Sequence, residues 1–221
     1  AKAALVEKGL PKISPMMEVA RTNRFKKGSG LPVFVPVIDM IEIGAGGGSI
    51  ARVDALGLLK VGPESAGADP GPACYSKGGK LPTVTDASLV LGYLDPDFFL
   101  GGTMSLDKSA AVEAMTGLSK ELGLSVIETA QGIYDLVCEN MAAAARVHIV
   151  ETGRDPRGYA MVAMGGAGPL HAATVAGKLG IKEIIIPAAS GTASALGFLG
   201  SPISYSVTKS KPIYFNELDV S

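Results

Sequence analysis

Apolar and polar positions follow two different periods along the chain. Through residue 61 the period is short. Residues 2–6 and 10–14 read as two short strands around a turn at Gly9. Residues 18–27 mix charge with apolar groups, and Lys26-Lys27-Gly28-Ser29-Gly30 ends them in a turn. Val33, Val35 and Val37 alternate around Pro36, which fits an edge strand because proline cannot donate to a ladder. Residues 39–43 lead into Gly44-Ala45-Gly46-Gly47-Gly48-Ser49. Residues 50–54 and 58–61 then read as a hairpin turning at Ala55-Leu56-Gly57. Residues 62–83 show no period and are predicted to form one long loop.

Beyond residue 83 the period lengthens to that of a helix. Thr85 or Asp86 is placed to cap a short helix through Leu94, and Asp107 to cap a second over 108–122. Ser125 and Glu128 form a capping box before a long apolar run, and Gly153 stops the helix near Thr152. Ile127, Ala130, Ile133, Val137, Met141, Ala144 and His148 recur at three- and four-residue steps, which predicts one buried stripe. The small residues Ala142 to Ala145 allow another helix to approach closely. Residues 159–164 read as a buried strand, and Gly165-Gly166-Ala167-Gly168 follows. Pro169 suits the start of a helix running to about Leu179. A strand over 183–186, a short helix over 193–199 and an extended stretch over 205–215 complete the pattern. This β–loop–α–β–α order predicts an α/β fold with crossover helices.

Composition sharpens the picture at the loops. Glycine supplies 29 of 221 residues, about 13%, against roughly 7% in average proteins. There is no triplet period, and 47% hydrophobic against 19% charged residues is enough to bury a core. Net charge is −1, so no basic field for nucleic acid exists. Six Tyr, six Phe and no Trp give little for stacking bases. Two cysteines make neither a disulfide framework nor a zinc site, which points to a reduced, cytoplasmic setting. The sequence has no signal-peptide pattern and no apolar run long enough to cross a membrane. It opens on Ala1 rather than Met and reads as a fragment or a processed product.

Candidate chemistry follows the glycines. The Gly44–Ser49 loop can turn backbone N–H groups toward an anion, with Gly44, Gly46, Gly47, Gly48 and the Ser49 hydroxyl as contacts. It lacks the lysine of a Walker A loop, so an ordinary P-loop is excluded, and a tight turn between strands is the other reading. The second loop, Gly165, Gly166 and Gly168 with His171 one turn later, sits between strand and helix, where a helix N-terminus favours an anion. It is half of a dinucleotide fingerprint; close helix–sheet packing is the alternative. Asp39, Glu42, Asp54, Glu64, Asp69 and Asp86 gather around the glycine-rich half, and magnesium needs one or two carboxylates plus phosphates. Glu42 stands in an apolar run. Asp86 stands among hydroxyls in Pro82-Thr83-Val84-Thr85-Asp86, as metal ligand or as helix cap. His148 reads as a core residue, and Cys74 as a thiol in the loop or a small buried residue. Neither histidine pairs with Ser or Cys at a triad spacing.

Three long motifs in order carry a resemblance. They are Ile41-Glu42-Ile43-Gly44-Ala45-Gly46-Gly47-Gly48-Ser49-Ile50-Ala51, residues 62–75 from Gly62-Pro63-Glu64-Ser65 to Pro72-Ala73-Cys74-Tyr75, and Pro82-Thr83-Val84-Thr85-Asp86-Ala87. With Gly165-Gly166-Ala167-Gly168-Pro169-Leu170-His171-Ala172, the chain resembles the hydantoinase A/oxoprolinase family over nearly its whole length. The resemblance implies the second lobe of an actin-like, ribonuclease H-like ATPase. Such a lobe spans 1–221: a strand-rich part over 1–62, a Gly/Pro loop region over 63–106, and a helical and β-α-β part over 107–221. It implies ATP-dependent hydrolysis of a cyclic amide of hydantoin, 5-oxoproline or lactam type, through a phosphorylated intermediate. Ketone carboxylation of the acetone or acetophenone type, or a non-catalytic nucleotide-binding assembly lobe, are the alternatives. ATP and Mg2+ are the implied cofactors, with Asp86 as metal ligand and Glu42, Asp69 and Asp86 as catalytic carboxylates. The implied partners are the missing first lobe and C-terminal region, and a second subunit of the hydantoinase B type.

Overall fold

The computed structural model describes residues 1–20, 22, 28–203, 205 and 207. The N-terminal part is an interrupted antiparallel ribbon. The chain runs out through β1 (Lys2–Ala4), β2 (Val6–Glu7), β3 (Leu10–Pro11), β4 (Ile13–Ser14) and β5 (Met17–Val19). It returns through β6 (Leu31–Val33), β7 (Val37–Ile38) and β8 (Met40–Glu42). Strand β1 pairs with β8, β4 with β7 and β5 with β6, while β2 and β3 form a side hairpin turning at Lys8 and Gly9. Pro36 divides the valine run: β6 ends at Val33 and β7 begins at Val37.

A hairpin of β9 (Ser49–Val53) and β10 (Leu59–Ser65) follows. Asp54 shapes its turn by accepting from the Leu56 and Leu58 amides at 2.9 and 3.0 Å. Strand β10 runs four residues further than the sequence pattern predicts, with its register broken between Val61 and Ser65. The long loop therefore starts at residue 66, and Pro63 is carried in a strand where the ladder is already interrupted.

The helices match their local signals. Helix α1 (Val84–Val90) is capped by Thr83, with Asp86 as its reciprocal partner three residues later. The expectation of Thr85 or Asp86 as the cap is thus off by two or three residues, and the helix ends at Val90 rather than Leu94. Asp107 caps α2 (Lys108–Leu122), accepting from the Ser109 and Ala110 amides. Ser125 and Glu128 open α3 (Val126–Glu151), which Thr152 and then Gly153 at positive φ terminate.

Helix α3 is the axis of the core, packed by α1, α2, β10, β1 and β8. Ala130, Ile133, Val137, Ala144 and His148 are buried on it as the stripe predicts, whereas Met141 is half-buried and Ile127 in the first turn is exposed. Cys74, Leu89, Met115 and Val84 fill the space between α1, α2 and the loop.

A β-α-β unit closes the described chain. Strand β11 (Met161–Val162) runs parallel to β12 (Ile184–Ile185), and α4 (Gly168–Leu179) crosses between them and packs on α3. Helix α5 (Ala193–Gly200) follows. The sequence pattern predicts a buried strand over 159–164. Ala163 is buried, but Val162 and Met164 are half exposed, as are Ile185 and Ile186. With two strands paired among the described residues and α4 packed beside them, part of the apolar sheet meets solvent. The extended stretch expected over 205–215 falls almost wholly outside the described residues. Among those residues, no helix is long and apolar enough to cross a membrane.

Candidate functional site

The two glycine loops, so alike in sequence, differ in what surrounds them. The Gly44–Ser49 loop joins β8 to β9 and is closed by protein at three of its four glycines. Its amides at Ala45, Gly46 and Ser49 donate to Ile43 O, Ser49 Oγ and Gly46 O. Its carbonyls at Gly47 and Gly48 accept from the amides of Thr85 and Ala66, at 2.8 and 2.9 Å. A Cβ at Gly44 would stand 2.9 Å from Pro63, at Gly47 2.6 Å from Thr85 Oγ1, and at Gly48 2.8 Å from Ser65 Oγ. These glycines are required because strand, loop and helix α1 pack against bare backbone. Ser49 is buried, its oxygen turned back to Gly46. The geometry supports the tight-turn reading at Gly44, Gly47 and Gly48, whereas a Cβ at Gly46 would meet nothing within 4 Å.

Gly165–Gly168 is open. Gly165 has φ +87°, and a Cβ there or at Gly166 would meet nothing within 4 Å. The loop follows the carboxyl end of β11 and enters α4, whose N-cap Ala167 gives no side-chain cap. Pro169 occupies the first turn, where its missing N–H costs nothing. One bond, from Gly165 N to Ser190 O at 2.9 Å, ties the loop to the segment after β12. Exposed bare backbone at the carboxyl end of a parallel strand, beside an uncapped helix N-terminus, is where open α/β sheets receive phosphorylated ligands.

The carboxylates separate into different roles. Asp86 is fully buried and accepts four hydrogen bonds: from Thr83 Oγ1 at 2.7 Å, Cys74 N at 2.8 Å, Thr83 N at 2.9 Å and Ala73 N at 3.3 Å. It completes the capping box of Thr83 at the start of α1 and staples the 66–75 loop to the core. Both oxygens are engaged inside the core, which supports the helix-cap reading of Asp86 over the metal-ligand one. Among the described residues no three His, Cys, Asp or Glu side chains converge on a cation site.

Glu42 also departs from expectation. Strand alternation buries Ile41 and turns Glu42 outward, where it pairs with Lys2 at 2.7 Å with both side chains largely exposed. Its apolar neighbours belong to the opposite face of the strand. Asp69 is exposed within the 66–72 turn, which is closed by Ala66 O accepting from Gly71 N at 3.2 Å.

His171 is not a surface contact. It is 3% exposed and stacks on Tyr134 with ring centroids 5.3 Å apart. Its Nδ1 lies 3.4 Å from Cys138 Sγ. Burial lowers its pKa below the ordinary histidine value and favours the neutral ring. The sequence placed it correctly after the loop, but position four of the helix points inward to α3. Burial raises the Cys138 thiol to about 11 and the Cys74 thiol further, so neither is poised as a nucleophile.

Thr83 and Tyr134 were not singled out as functional by the sequence. The Thr83-x-x-Asp86 spacing carries a capping-box signal. Tyr134 has none, since its partners lie 36 and 40 residues away.

A model of the hydantoinase/oxoprolinase family matches residues 1–206. The chain belongs to that family. It is 42% identical over 200 residues to the caprolactamase subunit alpha of Pseudomonas jessenii, covering 89% of this chain and 29% of that one. It is 36% identical to 5-oxoprolinase 1 of Arabidopsis thaliana over 76% of its length, which is 14% of that protein. The nucleotide-free structure of an ATP-dependent acetone carboxylase superposes with a TM-score of 0.76 at 33% identity, over 89% of this chain and 27% of that chain. The ATP-dependent caprolactamase of Pseudomonas jessenii gives 0.71 at 43% identity, over 79% and 26%. The chain thus spans under a third of the length of these relatives.

Proposed function

We propose that this chain is one lobe of an ATP-dependent cyclic-amide hydrolase, of actin-like architecture, and that it holds one side of the nucleotide at Gly165–Gly168. The observation that carries the reading is the contrast between the two loops: one closed by protein at Gly44, Gly47 and Gly48, the other bare at Gly165 and Gly166. Family membership adds relatives whose names include an ATP-dependent caprolactamase and a 5-oxoprolinase.

Bound ATP would supply a phosphoryl group that turns an amide oxygen into a leaving group. The chain's own residues act by position. Gly165 and Gly166 leave room for the ligand to approach backbone, and the free amides of the first turn of α4 face its negative charge. The one thiol beside a histidine among the described residues, Cys138 at His171, is held protonated by burial, which fits catalysis by positioning. Of the three carboxylates named from sequence, Asp69 is the exposed one without an ion pair and is our candidate to face substrate. Magnesium would enter on the nucleotide's phosphates, with ligands from outside the described side chains.

The partners in this reading are the remainder of a longer polypeptide and a second subunit of the hydantoinase B type. Several relatives are named as subunits. The high structural similarity to an acetone carboxylase keeps ketone carboxylation as the second reading. A phosphate-release assay on the full-length protein separates them. Turnover with hydantoin, 5-oxoproline or a lactam, and none with ketone plus bicarbonate, is the expected result. The reverse pattern would replace the hydrolase with a carboxylase.

A further inference from the structure

Tyr134 reaches from the middle of α3 to the first turn of α4. Its hydroxyl donates to Leu170 O at 2.9 Å and lies 3.2 Å from Thr174 Oγ1. Its ring stacks on His171 and takes the edge of Tyr93 at 4.9 Å between centroids. One side chain thus fastens a backbone carbonyl and a side chain in the same turn, immediately after the open glycine loop. That turn lacks a side-chain cap. The end of α4 offered to a ligand would otherwise fray, because the first turn of a helix has no internal partner for its amides.

We infer that Tyr134 is a positioning residue: by clamping Leu170 and His171 it fixes the turn whose amides receive the nucleotide. The inference rests on the nucleotide reading given above. The clamp acts through hydroxyl and ring together. Removing the hydroxyl alone keeps the ring contacts with His171 and Tyr93, and releases Leu170 O.

The test uses the full-length protein and Tyr134→Phe. Amide hydrogen exchange without ligand is expected to quicken at residues 172–175, the first amides bonded within α4, while the middle of α3 keeps its protection. Calorimetry with Mg-ATP is expected to show affinity weakened on the order of tenfold, the equivalent of about one buried hydrogen bond. Thr174→Val, which leaves the Leu170 bond in place, is expected to bind as wild type. Unchanged exchange over 172–175 would overturn the clamp. Faster exchange with unchanged affinity in a wild type that binds Mg-ATP would reduce Tyr134 to a structural role. A wild type that shows the clamp by exchange but binds no Mg-ATP would overturn the nucleotide reading, and with it the positioning role.

Discussion

Replacing Asp86 separates a structural carboxylate from a metal ligand. The side chain is fully buried and holds four donors, three of them within 2.9 Å. In Asp86→Ala the Thr83 hydroxyl can rotate to a new partner, but the Cys74 and Thr83 amides lose theirs in a dry site. Each stranded amide, Ala73 included, costs about 1–3 kcal/mol, the Thr83 one being the lost reciprocal cap, and the sum is taken near the low end. The sum is about 4 kcal/mol, in line with breaking a buried charged contact. At a urea slope of about 2 kcal/mol per molar, the midpoint falls by roughly 2 M. Asp86→Asn keeps one acceptor oxygen and turns an NH2 toward a donor, so it should fall between wild type and alanine. Urea unfolding followed by circular dichroism measures both. A loss under about 1 kcal/mol in the alanine variant, together with weakened magnesium-dependent ATP binding, would refute the staple and restore the metal role.

Three further outcomes follow from the same geometry. Gly47→Ala places a methyl group 2.6 Å from Thr85 Oγ1, so it should lower the unfolding midpoint and leave any nucleotide affinity of the folded protein intact. Asp107→Ala removes the acceptor for two amides at the start of α2 and should cost about 1 kcal/mol in chemical denaturation. His171 is buried as the neutral ring with its pKa lowered, so the unfolded chain takes up its proton first as pH falls. Its contribution to stability is complete above the ordinary value of 6.5 and is lost as pH drops below it toward the lower folded value. His171→Gln should flatten that part of a stability-against-pH curve; an unchanged acid slope would contradict the assignment.

The local grammar of the fold was legible before any coordinates. Asp107, Ser125 with Glu128, Gly153 and Pro169 mark helix ends because capping depends on residues a few positions apart. The hairpin at residues 55–57 was legible for the same reason. Side-chain direction was less so. Glu42 looked buried because its sequence neighbours are apolar, yet period-two alternation sends it outward. His171 looked like a ligand contact because it follows a glycine loop, yet the helical turn carries it onto Tyr134 and Cys138. Most of all, composition could not tell the closed glycine loop from the open one. That difference is made by Pro63, Ser65 and Thr85 closing on Gly44, Gly48 and Gly47, and by nothing closing on Gly166.

Gly166 therefore offers the sharpest test. A Cβ there meets no heavy atom within 4 Å, and its backbone lies outside the left-handed region, so Gly166→Val should fold as wild type does. The same side chain would occupy the space reserved for ligand. Calorimetric titration of the full-length protein with Mg-ATP is expected to show binding by wild type and its loss in Gly166→Val at an unchanged unfolding midpoint. Equal affinity in the two proteins would contradict a nucleotide at Gly165–Gly168.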